Sequence, residues 1–360
     1  MNSHRIKSST AQPIGNRSRL EICATSRIYA SVALAALITQ GTVEAQPFQF
    51  PTANHALYEN GGEEKFFVGT TGKPWNTGTF GCVRSEGHQL HEGLDIRCQT
   101  RDKRGEPMDP VMAAADGEVA YINRRPSLSN YGNYVMVRHN INGLEVFSLY
   151  AHLSEIRKDL KTGQQVKTGE KLAIMGRTAN TREGISKDRA HVHFELDLLV
   201  NDRYSKWHEA ALRGQRNDHG DWNGRNMLGL DPRLILLQER EQGAKFNLLA
   251  FIQHQNELCR VQVRKTNFPW LKRYGALIQP NPRATKEGVA GYELALNFIG
   301  LPFQVIPRAS SELKGKSKIE LLSVNQAEHD RNPCCHLVVK KGSRWELTNH
   351  GTELLELLTW

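Results

Sequence analysis

The 360-residue chain reads as a mainly β protein. An antiparallel β-sheet or barrel-sandwich domain is expected over residues 66–238, followed by a smaller α+β domain over 239–360. Three observations predict this. Short runs rich in Val, Ile, Tyr and Phe (EVAYI, NYVMVRH, LEVFSLYAHL, KLAIMG, HVHFELDLLV) succeed one another up to about Val200, which is the signature of strands. Their separators, ADGE, NING and KTGE, carry the Gly, Asn and Asp that tight hairpins need. After Asp231-Pro232 the pattern turns helical, in FNLLAFIQHQNEL from Phe246 and GVAGYELALNFIG from Gly288.

Taken in order, residues 1–45 read as an export signal. The apolar run IYASVALAALI, Ile28 to Ile38, spans 11 residues, well short of the roughly 20 needed to cross a membrane. Basic residues precede it, and Val43-Glu44-Ala45 offers small residues for cleavage after Ala45. The leader before the apolar run is long, so either the true start lies further in or part of the segment stays as an anchor. No membrane span is expected in the mature chain. Residues 46–65, rich in Gly, Pro and Asn, read as an irregular arm. Residues 201–226, polar but carrying Trp207 and Trp222, read as an extended surface loop that either overhangs a cleft or is a plain excursion. The tail LVVKKGSRWELTNHGTELLELL predicts a hairpin turning at Lys341-Gly342 and a final helix with Leu354, Leu355, Leu357 and Leu358 on one face. It has a faint likeness, over some 25 residues, to the wing and last helix of winged-helix domains.

With 39% hydrophobic and 24% charged residues, collagen-like, coiled-coil and multi-span membrane classes are excluded. The net charge is +9, and removal of residues 1–45, with five Lys/Arg and two Asp/Glu, leaves about +6. A basic exported protein points to an anionic cell-wall polymer or membrane surface, and nucleic acid is not expected. Five of the six cysteines lie beyond residue 45. Cys82 with Cys98 would close a short loop around HQLHEGLD; buried unpaired thiols are the alternative.

The chemistry concentrates in histidines. His191-Val192-His193 lies in a β run, where side chains two apart share a face at about 6.6–7 Å. In His91-Glu92-Gly93-Leu94-Asp95, an extended strand would hold His91 and Asp95 about 13 Å apart, and Gly93 offers the bend that brings both to one ion. Glu92 reads as a solvated carboxylate rather than a general base, since the helical H-E-x-x-H spacing is missing. His152 ends the run SLYAHL. Glu195 shares the nominal face of His191 and His193, as an imidazole-positioning carboxylate or a strand-end charge. Tyr131, Tyr134 and Tyr150 either flank a groove or pack.

The order HEGLD, PVMAAADGEV, YGNYVMVRH, SLYAHLSEI, GQQVKTGEKLAIMG and AHVHFEL resembles the lysostaphin-type, or LytM-like, zinc metallopeptidases across residues 66–238, and DPRLIL from Asp231 resembles their customary close. The resemblance implies a duplicated-hybrid-motif β fold with a groove, one zinc ion, and hydrolysis of peptide bonds in peptidoglycan in the periplasm or outside the cell. It makes His91, Asp95 and His193 the metal ligands, and His152 and His191 the catalytic histidines. Three protein ligands leave a fourth position for water, the pattern of a catalytic zinc. The chain departs from the pattern in RTANTREGISKDRA, longer and more charged than the usual turn before H-x-H, which bears on substrate preference. GQQVKTGEKL also has the turn phrasing of lipoyl-type modules, which have no use for the histidines. The rival function is a wall-binding or regulatory protein with a covered groove that activates other wall hydrolases.

Overall fold

The computed structural model describes residues 47–182 and 184–360; the export segment lies outside the described residues. Strand alternation organises the first half. A short helix α1 (Glu63–Phe66) leads to β1 (Gly81–Arg84), β2 (Gln89–His91), β3 (Leu94–Arg97), β4 (Pro110–Met112), β5 (Gly117–Asn123), β6 (Tyr134–Ile141), β7 (Leu144–Ala151), β8 (Glu155–Ile156), β9 (Gln165–Val166), β10 (Lys171–Ile174) and β11 (His191–Leu199). Helix α2 (Tyr204–Ala211) and β12 (Met227–Leu230) follow. The main sheet has the order β12-β11-β7-β6-β5-β9, with β3 also pairing β11, and every pairing in it is antiparallel. The β6–β7 hairpin turns at Asn142-Gly143, both at positive φ (51° and 78°), as a two-residue loop matched to strand twist demands.

β11, one strand in from the edge, carries the site. Val192, Phe194, Leu196 and Leu198 are fully buried on its core face, where Phe194 meets Tyr150 at 5.5 Å between ring centroids. His191, His193, Glu195 and Asp197 occupy the opposite face, by the two-residue period of a strand. Three neighbours grip it: β3 along its first half, β12 along its second, and β7 along its other edge.

The second half opens with α3 (Pro232–Gln242), whose start is set by Pro232 and by Asp231 accepting hydrogen bonds from the amides of Arg233 and Leu234. There follow α4 (Leu248–Gln253), β13 (Cys259–Val263), α5 (Pro269–Arg273), α6 (Pro282–Glu287), β14 (Gly291–Leu296), β15 (Pro302–Arg308), β16 (Ile319–Val324), α7 (Gln326–Arg331), the hairpin β17 (Val338–Lys341) and β18 (Arg344–Leu347), and α8 (Asn349–Thr359). The sheet order is β15-β14-β13-β16. Helix α8 begins at Thr348, whose hydroxyl accepts from the Gly351 amide, and buries the four leucines expected of it. The described residues fall in one compact unit, with a large apolar core running from β11 into β13–β15 and α8 and a smaller one around Tyr134, Met136, Phe147 and Leu149.

Four expectations are corrected. GVAGYELALNFIG is not helical: it forms β14, where Glu293 is clamped between Arg260 of β13 and Arg308 of β15 (2.8 and 2.7 Å). Cys82 bonds Cys334, not Cys98; β1 turns toward the segment after α7, while the Cys98 thiol donates to the Thr100 carbonyl oxygen and stays free, as do Cys259 and Cys335. Residues 201–226 are not an extended loop, because Trp207 is buried on α2 and Trp222 packs on Tyr121 and Phe147 of the main sheet. Before residue 66 the chain is irregular yet already folded, with Phe48, Phe50, Ala56 and Leu57 buried in the core.

Candidate metal centre

Strand register assembles the site. Across β11, His193 stands opposite Asp95 of β3 on one side and Ala151 of β7 on the other, so Asp95 and His152, the residue after Ala151, arrive beside it. His91 ends β2 and returns through Gly93. A side chain at Gly93 would place Cβ 2.3 Å from the Phe194 carbonyl oxygen, so close passage over β11 requires glycine there, beyond the bend read from the sequence.

His91 Nε2, Asp95 and His193 Nδ1 converge, with Nε2 to Oδ1 3.1 Å, Nδ1 to Oδ1 3.0 Å and Nε2 to Nδ1 3.1 Å. These three residues offer ligand atoms within 4.8 Å of one another, and all are buried. Two imidazole nitrogens and a carboxylate oxygen are an ordinary donor set for zinc. His191 Nε2 lies 3.4 Å from Asp95 Oδ1, and the His152 ring is 4.8 Å from that of His191. All five residues line one groove of about 650 Å³.

The orientation of each ring is fixed from behind. Nδ1–H of His91, His191 and His152 faces the carbonyl oxygens of Thr79 (2.7 Å), Arg189 (2.6 Å) and Thr178 (2.9 Å), leaving Nε2 of each with its lone pair. His193 is reversed: Nε2–H donates to Glu195 Oε1 at 2.6 Å, and Nδ1 faces the centre. Glu195 is therefore the positioning carboxylate among its two readings, and it accepts further hydrogen bonds from Tyr131 and Asp197. His152 sits at φ +62°, a left-handed conformation costly for a non-glycine residue and characteristic of functional positions.

Electrostatics follow from burial and pairing. Desolvation disfavours charge on His91 and lowers its pKa, with Asp95 opposing. His152 is driven well below the usual imidazole value by burial and by His191 and His193. Burial would lower His193 too, but Asp95 and Glu195 override it and lift the pKa to about 10. Asp95 is held well below the carboxylate range: burial pushes it up, and His191 and His91 pull it down further. Arg84 Nη2 bonds the second oxygen of Asp95 at 2.6 Å. Asp197 is raised well above the carboxylate range by burial and by Glu195, with which it shares a hydrogen bond.

Sequence reasoning missed Arg84, which no spacing announces, and Asp197, which the alternation H-x-H-x-E-x-D on one strand face could have shown. Glu92 is exposed, as expected, and lines the groove. Tyr150 is a core residue whose hydroxyl accepts from the Ala114 amide; Tyr131 lines the groove with its ring 5.5 Å from His193.

Residues 89–205 match the model of peptidase family M23. Over 118 residues the chain is 36% identical to the murein hydrolase activator NlpD of Escherichia coli, covering 33% of this chain and 24% of that protein. Over 95 residues it is 35% identical to the peptidoglycan DD-endopeptidase ShyB of Vibrio cholerae, covering 26% and 18%. Among solved structures, a zinc-containing peptidase from Vibrio cholerae aligns at 29% identity over 30% of this chain and 26% of that one, with a TM-score of 0.22. The chain thus spans about a fifth to a quarter of the lengths of these proteins.

Proposed function

We propose, from the peptidase family M23 domain that the chain carries over residues 89–205, that this is a zinc-dependent endopeptidase cleaving peptide bonds in the stem peptides or cross-links of bacterial peptidoglycan. One observation carries the reading: five residues from four segments converge on one groove, each histidine ring locked with a single nitrogen facing the centre. The family is zinc-dependent, and His91 Nε2, Asp95 and His193 Nδ1 would hold the ion. When bound, zinc supplies Lewis acidity toward the scissile carbonyl and lowers the pKa of a water from 15.7 toward about 7. His191 and His152 present Nε2 lone pairs to accept that water's proton and pass it to the leaving amine, and they donate to the developing oxyanion once protonated. Such acid–base assistance is typically worth roughly 10²–10⁴-fold. Burial keeps His152 neutral at physiological pH, the form in which it can accept a proton. Glu195 holds His193 in the tautomer that turns Nδ1 to the ion.

Relatives named as murein hydrolase activators favour a second reading, in which the chain binds wall peptide and regulates other hydrolases. The openness of the groove argues for turnover: among the described residues, its lining includes none from 47–65, 201–226 or the segment after 239. The test is incubation of residues 46–360 with purified peptidoglycan and a count of newly exposed amino groups, beside a chelator control and His193→Ala. Metal-dependent release lost in the variant is expected. Absence of release from folded, zinc-loaded protein would overturn the endopeptidase reading in favour of the regulator.

A further inference from the structure

The groove that holds the five site residues is also lined by three guanidinium groups, those of Arg84, Arg182 and Arg189. Arg182 and Arg189 belong to the charged loop RTANTREGISKDRA, where the chain departs from the pattern it otherwise resembles. Arg189 ends that loop, and its carbonyl oxygen holds Nδ1–H of His191 at 2.6 Å. Its side chain is pinned in turn: Nε donates to the Gly69 carbonyl oxygen (2.8 Å) and Nη1 to the Thr71 hydroxyl oxygen (3.1 Å). Thr71 lines the groove as well.

Both partners of the Arg189 side chain are neutral, and they leave Nη2 and one hydrogen of Nη1 unengaged. The groove lining also holds Asp95 and Glu92. Asp95 is taken by Arg84 at 2.6 Å and by the surrounding histidines. Among the described residues no ion pair joins Glu92, or any other carboxylate, to Arg182 or Arg189. Arg189 is half-buried, and burial disfavours its charge, with Asp95 opposing and Arg84 adding repulsion. A partly desolvated guanidinium without a counter-ion carries a cost that an arriving anion removes. In a peptide substrate the anion on offer is a carboxylate, which the planar fork of arginine fits.

We propose that Arg189, with Arg182 of the same loop, forms a specificity subsite for a free carboxylate on the peptide substrate. Arg189 gives the directed hydrogen bonds from its unengaged donors, and exposed Arg182 adds positive charge. Gly69 and Thr71 hold the Arg189 guanidinium before substrate arrives, so little side-chain freedom is lost on binding. Arg189 lies two residues from His191, which places the recognised carboxylate on a residue flanking the scissile bond or on the next one along. The loop that departs from the usual turn thereby becomes the determinant of substrate preference, and peptides with an amide in place of the carboxylate are the poorer ligands. This proposal rests on the reading of the groove as a peptide-binding site.

The test measures binding without turnover. The intact chain is titrated calorimetrically with acetyl-Ala-Glu-Ala-amide and with acetyl-Ala-Gln-Ala-amide, while peptidoglycan hydrolysis is assayed separately. Phenanthroline, a chelator without carboxylates, keeps the peptides from reaching a metal ion. A partly desolvated charged hydrogen bond predicts about tenfold tighter binding of the glutamate peptide, with that preference lost in Arg189→Gln and partly kept in Arg189→Lys. An arginine that only ties down Gly69 and Thr71 would affect the two peptides alike. Arg182→Gln, at an exposed position, must weaken the preference even if Arg189→Gln fails to fold, whereas Lys316→Gln, which removes the same charge outside the groove, must leave it intact. Equal affinity for the two peptides, binding of neither, or equal effects of Arg182→Gln and Lys316→Gln overturn the subsite. Hydrolysis without a carboxylate preference would leave the endopeptidase reading standing, and a preserved preference without hydrolysis would sink that reading and keep the subsite.

Discussion

Serine in place of Cys334 removes a covalent tie between β1 and the segment after α7 while leaving the native contacts around it in place. The bridge closes a loop with a sequence separation of 252 residues. In the chain-entropy treatment, a loop of that size takes about 19 cal/mol/K from the unfolded ensemble, or about 5.5 kcal/mol at 25 °C. Spread over the roughly 320 residues of the unit Glu44–Trp360, at about 2.1 cal/mol/K of unfolding entropy per residue, this lowers Tm by roughly 8 °C. Urea and thermal unfolding of oxidised wild type and Cys334→Ser, followed by tryptophan fluorescence, measure the difference. Denaturing thiol titration of residues 46–360 should count the three free cysteines in the wild type and four in the variant. A loss below about 1 kcal/mol in the variant, a tenth or so of an ordinary domain's stability, would refute the reasoning. So would a fully reduced wild-type protein.

Glu195→Gln keeps the shape of the residue behind His193 but replaces a charged acceptor with a neutral one, so metal affinity should fall about 10–100-fold. Competition with a chromogenic chelator reads this directly, and unchanged affinity would show that the 2.6 Å contact does not orient the ligand. Buried His139, wedged between the Asp116 carbonyl oxygen and Ser148, has its pKa lowered by desolvation from 6.5 to about 4. Above pH 6.5 it is neutral folded or unfolded; as pH falls from 6.5 toward 4, the unfolded chain takes a proton that the folded chain refuses. Stability should therefore drop by up to about 3 kcal/mol across that window, and His139→Gln should flatten this part of the profile in urea melts recorded at each pH. Identical pH profiles for the two proteins would exclude the effect.

The legible and illegible parts of this chain separate along physical lines. β5, β6, β7 and β11 were readable because alternation and hairpin chemistry are local properties of the chain. His91, Asp95, His152, His191 and His193 were recognised by motif order, and the structure places them around one groove, since β3 and β7 register directly against β11. β14 was misread because GVAGYELALNFIG places apolar residues at both helical and strand spacings; the arbiter is Glu293, paired with arginines on two neighbouring strands. The Cys82 partner was illegible for a similar reason, since nearness in sequence says nothing of the 252 residues over which the real pairing reaches. The three carbonyl oxygens behind the rings left no trace in the sequence, because main-chain acceptors carry no residue identity, and Arg84 reaches Asp95 from another strand at no telling spacing. Asp197 left a trace in the alternation that continues past the histidine pair.

β11 writes two messages on one thread. Its odd-numbered positions, 191 to 197, spell out the chemistry, and its even-numbered positions, 192 to 198, spell out the core. A single inserted or deleted residue inside this strand would exchange the two texts, driving imidazoles and carboxyls into the apolar interior and turning Phe194 and Leu196 toward the groove. Point substitutions there fail one letter at a time, whereas a frame slip fails everything at once. Lineages of such a chain should accordingly vary in length at the 178–189 loop and hold the nine residues of β11 to a fixed count.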